Sequence, residues 1–485
     1  MSEEKIGVLF ATFECVPFLK TGGLGDVAGS LPSYLNKNGC DTRVILPKLS
    51  YISEEYRNKM KFICDYYVNL GWRNVYCGLF TLKYKGVIYY FLDNEYYFKR
   101  DNIYGYFDDG ERMAYFSKAV VETIMHIPDF KVDILHCNDW HTALAPVFLR
   151  EFYMLSDVYK DIKTVYTVHN LKFQGQMSDY MLGDVLGLYG NVAAMNQLRC
   201  DDRSINFMKG ALCYSDALST VSNTYAEEIQ TAFFGEHLED VFRRRRDILY
   251  GILNGIDVKE YNPGKDPLIP ANYTMTKMGG KSECKKALQK ELGLQVNADI
   301  PVFIMIGRLT EQKGMDLLDC IMDELMDLPL QLVVLGTGDK KYEDMLLYYQ
   351  EKHKGKLSAN IRFDNALSHR MYAGADALLM PSLFEPCGLS QIIAMRYGTL
   401  PVVRETGGLK DSVKSYNKYD GSGTGFSFAN YNAHELLFLI KDVLGVYYDN
   451  RKAWNKLIHQ AMKEDFSWTK SAVNYVNMYK DLLGE

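Results

Sequence analysis

None of the ten cysteines stands in a C-x-x-C pair, and that absence removes zinc ribbons and thioredoxin-like redox sites from consideration. No apolar run approaches the ~18 residues that span a bilayer. The opening residues, MSEEKIGVLF, hold two glutamates and pass straight into an apolar strand pattern, so no secretory signal is expected there. Positive charge is not in surplus either: 55 basic residues against 61 acidic give a net charge of -6, which offers nucleic acid no general attraction. The one local exception, Arg243 to Arg246, is too short for a nucleic-acid or membrane patch and reads as a solvated helix face. There is no low-complexity segment and no H-E-x-x-H, and the glycine-rich stretch Lys20 to Asp26 is not a dinucleotide G-x-G-x-x-G and has no G-K-[ST] to make it a P-loop. The expectation is a cytoplasmic protein with reduced thiols and with no nucleic acid, membrane or metal among its partners.

What is present fits a large globular protein. A chain of 485 residues, 47% hydrophobic and 24% charged, exceeds what one core usually serves, so two domains of roughly 200 to 250 residues each are expected. Aromatic residues reach 13%, led by 36 tyrosines. They suit tyrosine-rich cores and sugar-binding faces equally well.

The chain organises itself around Pro301 to Gly314, PVFIMIGRLTEQKG. Val302 to Ile306 has the length and β-branched content of a strand buried on both faces of a parallel sheet. Arg308 and Lys313 follow on the loop that leaves its carboxyl end, the edge where open α/β sheets take ligands. Such a pair suits an anion; the alternative is two solvated loop cations. Further on, Pro381 to Gln391 (PSLFEPCGLSQ) leads from Glu385 through a glycine into a helix.

In the first half, Lys5 to Thr12 is a strand, Asp26 to Asn38 a helix and Asp41 to Pro47 a strand, a βαβ unit with a right-handed crossover. Its loop, Lys20-Thr21-Gly22-Gly23-Leu24-Gly25-Asp26, has three glycines that let backbone amides approach a ligand at a helix start. Strands at Val132 to Cys137, Lys163 to Val168 and Ala217 to Val221 follow, and the first two end in His136-Cys137-Asn138-Asp139-Trp140-His141 and His169-Asn170. Each histidine there is either a ligand-facing group or a hydrogen-bonded loop residue. After Asn254-Gly255-Ile256-Asp257 the βα pattern restarts. It runs through a helix at Ser282 to Leu292, strands at 302 to 306, Leu332 to Leu335, Ile361 to Phe363, Ala377 to Met380 and Leu400 to Val403, and helices at 368 to 374 and 388 to 397. Two doubly wound α/β domains with a cleft between them are the economical architecture.

With Lys20 to Asp26, His136 to His141, Thr167 to Asn170, Asn254 to Asp257, Gly307 to Gly314, Glu385 to Leu389 and Thr406 to Asp411 in this order, the chain resembles the bacterial and plant glycogen/starch synthase family. The resemblance implies the GT-B fold, with two Rossmann-like domains, 1–249 completed by a last helix over 467–485, and 250–466. It implies retaining transfer of glucose from ADP-glucose to the nonreducing end of an α-1,4-glucan (glycogen, starch or a maltooligosaccharide), releasing ADP, with no metal or other cofactor. By the same resemblance Arg308 and Lys313 hold the diphosphate and Glu385 sits by the donor glucose. Cys387, Gly388 and Leu389 form the loop whose amides bind sugar or phosphate. Lys20, Gly22, Gly23 and Asp26 belong to the donor-closing turn of the first domain. Asp139 and His169 contact the glucose or the reacting centre, and Asn254 and Lys285 contribute further contacts. Phe363 either stacks on adenine or packs in the core. Related transferases carry a second glutamate where this chain has Ile393, so no carboxylate pair is inferred.

Overall fold

The computed structural model describes residues 5–485. They divide into two units, residues 5–255 with Trp468–Glu485, and Ile256–Ser467. The division falls later than the sequence boundary at 249/250 because the strand Leu249–Gly251 still pairs with Leu218 to Thr220 of the first sheet.

The first unit holds β1 (Ile6–Ala11), β2 (Cys40–Pro47), β3 (Lys61–Leu70), β4 (Arg73–Tyr84), β5 (Val87–Asp93), β6 (Ile134–Asn138) and β7 (Lys163–Val168). It continues with β8 (Gln176–Ser178), β9 (Ser204–Asn206), β10 (Ala217–Thr220) and β11 (Leu249–Gly251). Among the described residues, nine of these form one sheet in the order β11-β10-β7-β6-β1-β2-β5-β4-β3, while β8 and β9 pair separately. Strand β1 is buried on both faces: Leu9 and Ala11 join one hydrophobic cluster, Val8 and Phe10 the other. That is the pattern of a central parallel strand.

Strands β3, β4 and β5 form an antiparallel meander absent from the sequence reading. In β3 the outward side is Tyr67 and the inward neighbours are Tyr66 and Val68, so tyrosine stands on both faces and blurs the alternation that marks a half-buried strand. The last helix, Trp468–Leu483, belongs to this unit. Its Tyr479 hydroxyl lies 2.6 Å from His136 Nδ1 in the buried interior.

The second unit holds β12 (Val302–Ile306), β13 (Gln331–Leu335), β14 (Leu357–Asn360), β15 (Ala377–Met380), β16 (Leu400–Arg404) and β17 (Phe426–Phe428). All run parallel, in the order β14-β13-β12-β15-β16-β17. The strand expected at Ile361 to Phe363 lies earlier, because Leu357 to Asn360 pairs with Leu332 to Leu335 and the chain then leaves the sheet. Among the described residues no helix is long and apolar enough to cross a membrane, and none of the ten cysteines forms a disulfide.

Candidate functional site

The second unit gathers its candidate residues at the carboxyl edge of β12 and β15. After Ile306 the chain passes through Arg308 into a 3-10 turn, Glu311–Lys313, closed by Gly314. Gly314 has φ +79, and a Cβ there would stand 2.3 Å from the Pro381 carbonyl oxygen. Only glycine lets the Lys313 turn lie directly on the loop after β15. The two loops are further tied by the Leu383 amide, which donates to the Gln312 carbonyl at 2.9 Å. Lys313 Nζ consequently reaches Glu385 Oε2 at 2.5 Å, and the Ser382 hydroxyl donates to the same oxygen at 3.2 Å.

Glu385 is buried at 6% exposure, a position a carboxylate holds only with partners. Lys313, Glu385, Gly388, Leu389 and Ser390 line one cavity of about 60 Å³. The helix Ser390–Arg396 starts there from Leu389 without a side-chain cap, so its first amides are left for water or a ligand. Arg308 stands exposed on the same loop, with Nη2 3.5 Å from Gln312 Oε1. Cys387 is buried, and its carbonyl accepts from Gln391 Nε2 at 3.0 Å.

Two further residues of this unit resolve differently. Phe363 is 86% exposed, so it is not a core phenylalanine; it stands just past the carboxyl end of β14. Lys285 is not brought to this edge, contrary to the sequence expectation. It is buried at the opposite, amino-terminal edge of the sheet, where Nζ meets Asp376 Oδ2 at 2.8 Å, the Ala298 carbonyl at 2.8 Å and the Tyr447 hydroxyl at 3.0 Å. Asp376 in turn accepts from the amide of Val302, the first residue of β12. All three donors of the ammonium have partners there, and the role is structural.

In the first unit, Asp139 and His169 come together at the ends of β6 and β7. The His169 amide donates to Asp139 Oδ1 at 2.8 Å. Asn138 fixes the ring: its Nδ2 donates to the Ala11 carbonyl at 3.0 Å, which turns Oδ1 toward His169 Nε2 at 2.9 Å and places the proton on Nε2. Burial holds His169 well below its ordinary value, so the ring is neutral. Asp139 has φ +54, an uncommon conformation for a non-glycine residue. Burial pushes its carboxyl up to about 7, against the amides of His169 and Asn170, and the charge of Glu14 adds to the rise. Asn254 is also buried, and its Oδ1 has no hydrogen-bond partner among the described residues, an acceptor left for a ligand donor.

The glycine turn is built differently from the sequence expectation. The amides of Thr21 and Gly22 are not open to a ligand: they donate to Glu14 Oε2 at 2.7 and 3.1 Å. Glu14, buried, also accepts from the Tyr104 hydroxyl at 2.8 Å. A Cβ at Gly22 or Gly23 would meet nothing within 4 Å, so protein packing does not require either glycine and space remains beside the backbone. Lys20 and Asp26 pair at 2.8 Å. Burial raises the Asp26 carboxyl while Lys20 opposes the rise.

His136 and His141 are structural. His136 bridges the Thr167 and Tyr479 hydroxyls, and His141 stacks on Phe13 and Tyr104. Glu14 and Tyr104 were not among the sequence candidates. The signal for Glu14 was a lone carboxylate just past an apolar strand, in ATFECVPF.

The raised carboxyl of Asp139 gives a pH prediction. Its folded value, about 7, lies above the ordinary 3.8, so the native state binds the proton more tightly than the unfolded chain. Asp139 therefore lowers stability as pH rises from about 4 to 7, by up to roughly 1.4 kcal/mol per pH unit. The three depressed histidines, 136, 141 and 169, act in the opposite sense but are common to wild type and variant. Urea unfolding of Asp139→Asn should thus show a stability gain over wild type that grows from pH 4 to pH 7. A pH-independent difference would contradict the assignment.

Residues 7–244 match the family model described as starch synthase catalytic domain, and residues 290–461 match glycosyl transferases group 1. The chain is 52% identical to a glycogen synthase of Clostridium botulinum (strain Alaska E43 / Type E3), over 98% of this chain and 99% of the relative. It is 50% identical to a glycogen synthase of Geobacillus thermodenitrificans, over 98% of each. Its structure is similar to the catalytic domain of starch synthase IV from Arabidopsis thaliana bound to ADP and acarbose, with a TM-score of 0.90 at 30% identity, covering 99% of this chain and 100% of that one.

Proposed function

The chain belongs to the glycogen and starch synthase family of glycosyltransferases, with the GT-B fold, and from that premise we propose that it transfers glucose from ADP-glucose to the nonreducing end of an α-1,4-glucan with retention of configuration. The observation that carries the site assignment is the 2.5 Å Lys313–Glu385 pair lining one cavity with Gly388 and Leu389. Adenine as the base is supported by the ADP held in the starch synthase IV structure and by the exposed ring of Phe363 at the carboxyl edge of the same sheet.

In the proposed reaction the bond between glucose C1 and the β-phosphate oxygen breaks, a bond forms from C1 to the acceptor O4, and the acceptor proton passes to the departing phosphate on the same face. Arg308 and Lys313 meet the charge that grows on that phosphate, so they stabilise the transition state more than the ground state. This neutralisation asks for no metal. Glu385 holds Lys313 extended toward the cavity and borders the donor glucose. Asp139, neutral His169 and Asn254 present acceptors and donors suited to sugar hydroxyls. Lys20, exposed and paired with Asp26, stands beside the space left at Gly22 and Gly23. Same-face attack forms no covalent glucosyl intermediate, so it needs no second carboxylate as nucleophile.

The test is turnover of ADP-glucose against UDP-glucose with maltooligosaccharide acceptors. Faster transfer from ADP-glucose is expected, and equal or faster transfer from UDP-glucose would overturn the donor assignment.

A further inference from the structure

Lys313 and Glu385 arrive at the cavity from separate loops, and a third residue underlies both. Arg404, the last residue of β16, is buried at 8% exposure. Its Nε donates to the Ser382 carbonyl at 2.8 Å, Nη2 donates to the Leu383 carbonyl, and Nη1 donates to the Ala429 carbonyl at 3.3 Å. Ser382 in turn donates its hydroxyl to Glu385, and the Leu383 amide holds the Gln312 carbonyl. The Arg404 guanidinium also lies 5.7 Å from the ring centre of Tyr431. The Tyr431 hydroxyl reaches the Glu311 carbonyl at 3.1 Å and Asp316 Oδ1 at 2.5 Å, at the two ends of the segment that contains Lys313. One side chain thus pins the glutamate loop directly and touches the tyrosine that pins the lysine turn.

We propose that Arg404 is a positioning residue for glucosyl transfer, holding Ser382 and Leu383 so that Glu385 and Lys313 meet in the reactive geometry, with Tyr431 as its second arm. The inference rests on the functional reading above and extends it to residues that touch no substrate. Arginine is required because its planar fork presents five N–H donors in fixed directions, enough to hold three carbonyls from two segments. A lysine keeps the charge but brings a single flexible centre. Displacing a reacting group by about 1 Å costs on the order of 10²-fold in rate, and that is the scale expected here.

The experiment uses the full chain with ADP-glucose and a maltooligosaccharide. Arg404→Lys should lower kcat by on the order of 10²-fold while the KM values stay within about threefold of wild type. Its effect should shrink markedly when introduced into Glu385→Ala, since residues acting as one unit are not additive. Tyr431→Phe, which keeps the ring and removes the hydroxyl, should lower kcat in the same direction by less. Wild-type kcat in Arg404→Lys, or an equal loss with and without Glu385, overturns the proposal. Should Arg404→Lys not fold, an unchanged kcat in Tyr431→Phe overturns it. Full activity in Arg308→Ala and Lys313→Ala would instead remove the underlying functional reading, whatever Arg404 does.

Discussion

Replacing Arg308 or Lys313 by Ala is expected to lower kcat by at least ~10²-fold, the scale of losing one preorganised donor to a developing oxyanion. The two variants should differ in stability. Arg308 is exposed, with one 3.5 Å contact to Gln312, so its removal leaves the fold untouched and the unfolding midpoint should not move. Lys313 is the ammonium partner of Glu385, whose side chain is 8% exposed. Removing it leaves a buried carboxylate with only the Ser382 hydroxyl and ligand or solvent to meet it. Lys313→Ala should therefore lose both turnover and thermal stability. Initial rates with ADP-glucose and thermal unfolding monitored by circular dichroism separate these outcomes, and wild-type rates in either variant would refute the assignment of that residue.

Gly408→Ala is expected to be nearly as damaging, although the residue bears no functional group. The Gly408 amide donates to the carbonyls of Glu385 and Pro386 at 3.1 and 3.2 Å. A Cβ at this position would lie 2.1 Å from the Cys387 carbonyl oxygen and 2.5 Å from Cys387 Cα. Both obstructing atoms are backbone, so no side chain can swing away, and the loop Glu385 to Gly388 must shift. Overpacking of this kind costs about 1–3 kcal/mol, and the displaced glutamate should reduce kcat by on the order of 10²-fold. Gly23→Ala is the contrast: a Cβ there meets nothing within 4 Å, so stability should hold. Urea midpoints and turnover for the two variants check the pair, and a Gly408→Ala protein with wild-type values would show that the loop is not clamped.

The parts of this molecule that the sequence made legible are those whose residues carry their own signal. Strand β12 reads directly because a parallel strand buried on both faces is a short unbroken apolar run, here VFIMI. Arg308, Lys313 and Glu385 could be singled out because they follow such runs at the edge where open sheets take ligands. The misses share another physical cause, a meaning that depends on partners distant in the chain. Lys285 looked like a site residue until its pairing with Asp376 became visible. Glu14 gains its role from amides at Thr21 and Gly22 and from Tyr104. Arg404, inside the apolar PVVRE run, gave no hint that it spans Ser382, Leu383 and Ala429. Phe363 was ambiguous because strand length alone did not say where β14 leaves the sheet.

The central claim is that the diphosphate of a departing ADP is met by two cations on the loop after β12. A crystal structure of the protein with ADP tests it most directly. The account predicts phosphate oxygens at about 3 Å from the Arg308 guanidinium and the Lys313 ammonium, with adenine near Phe363. ADP bound with its phosphates away from both side chains would contradict it.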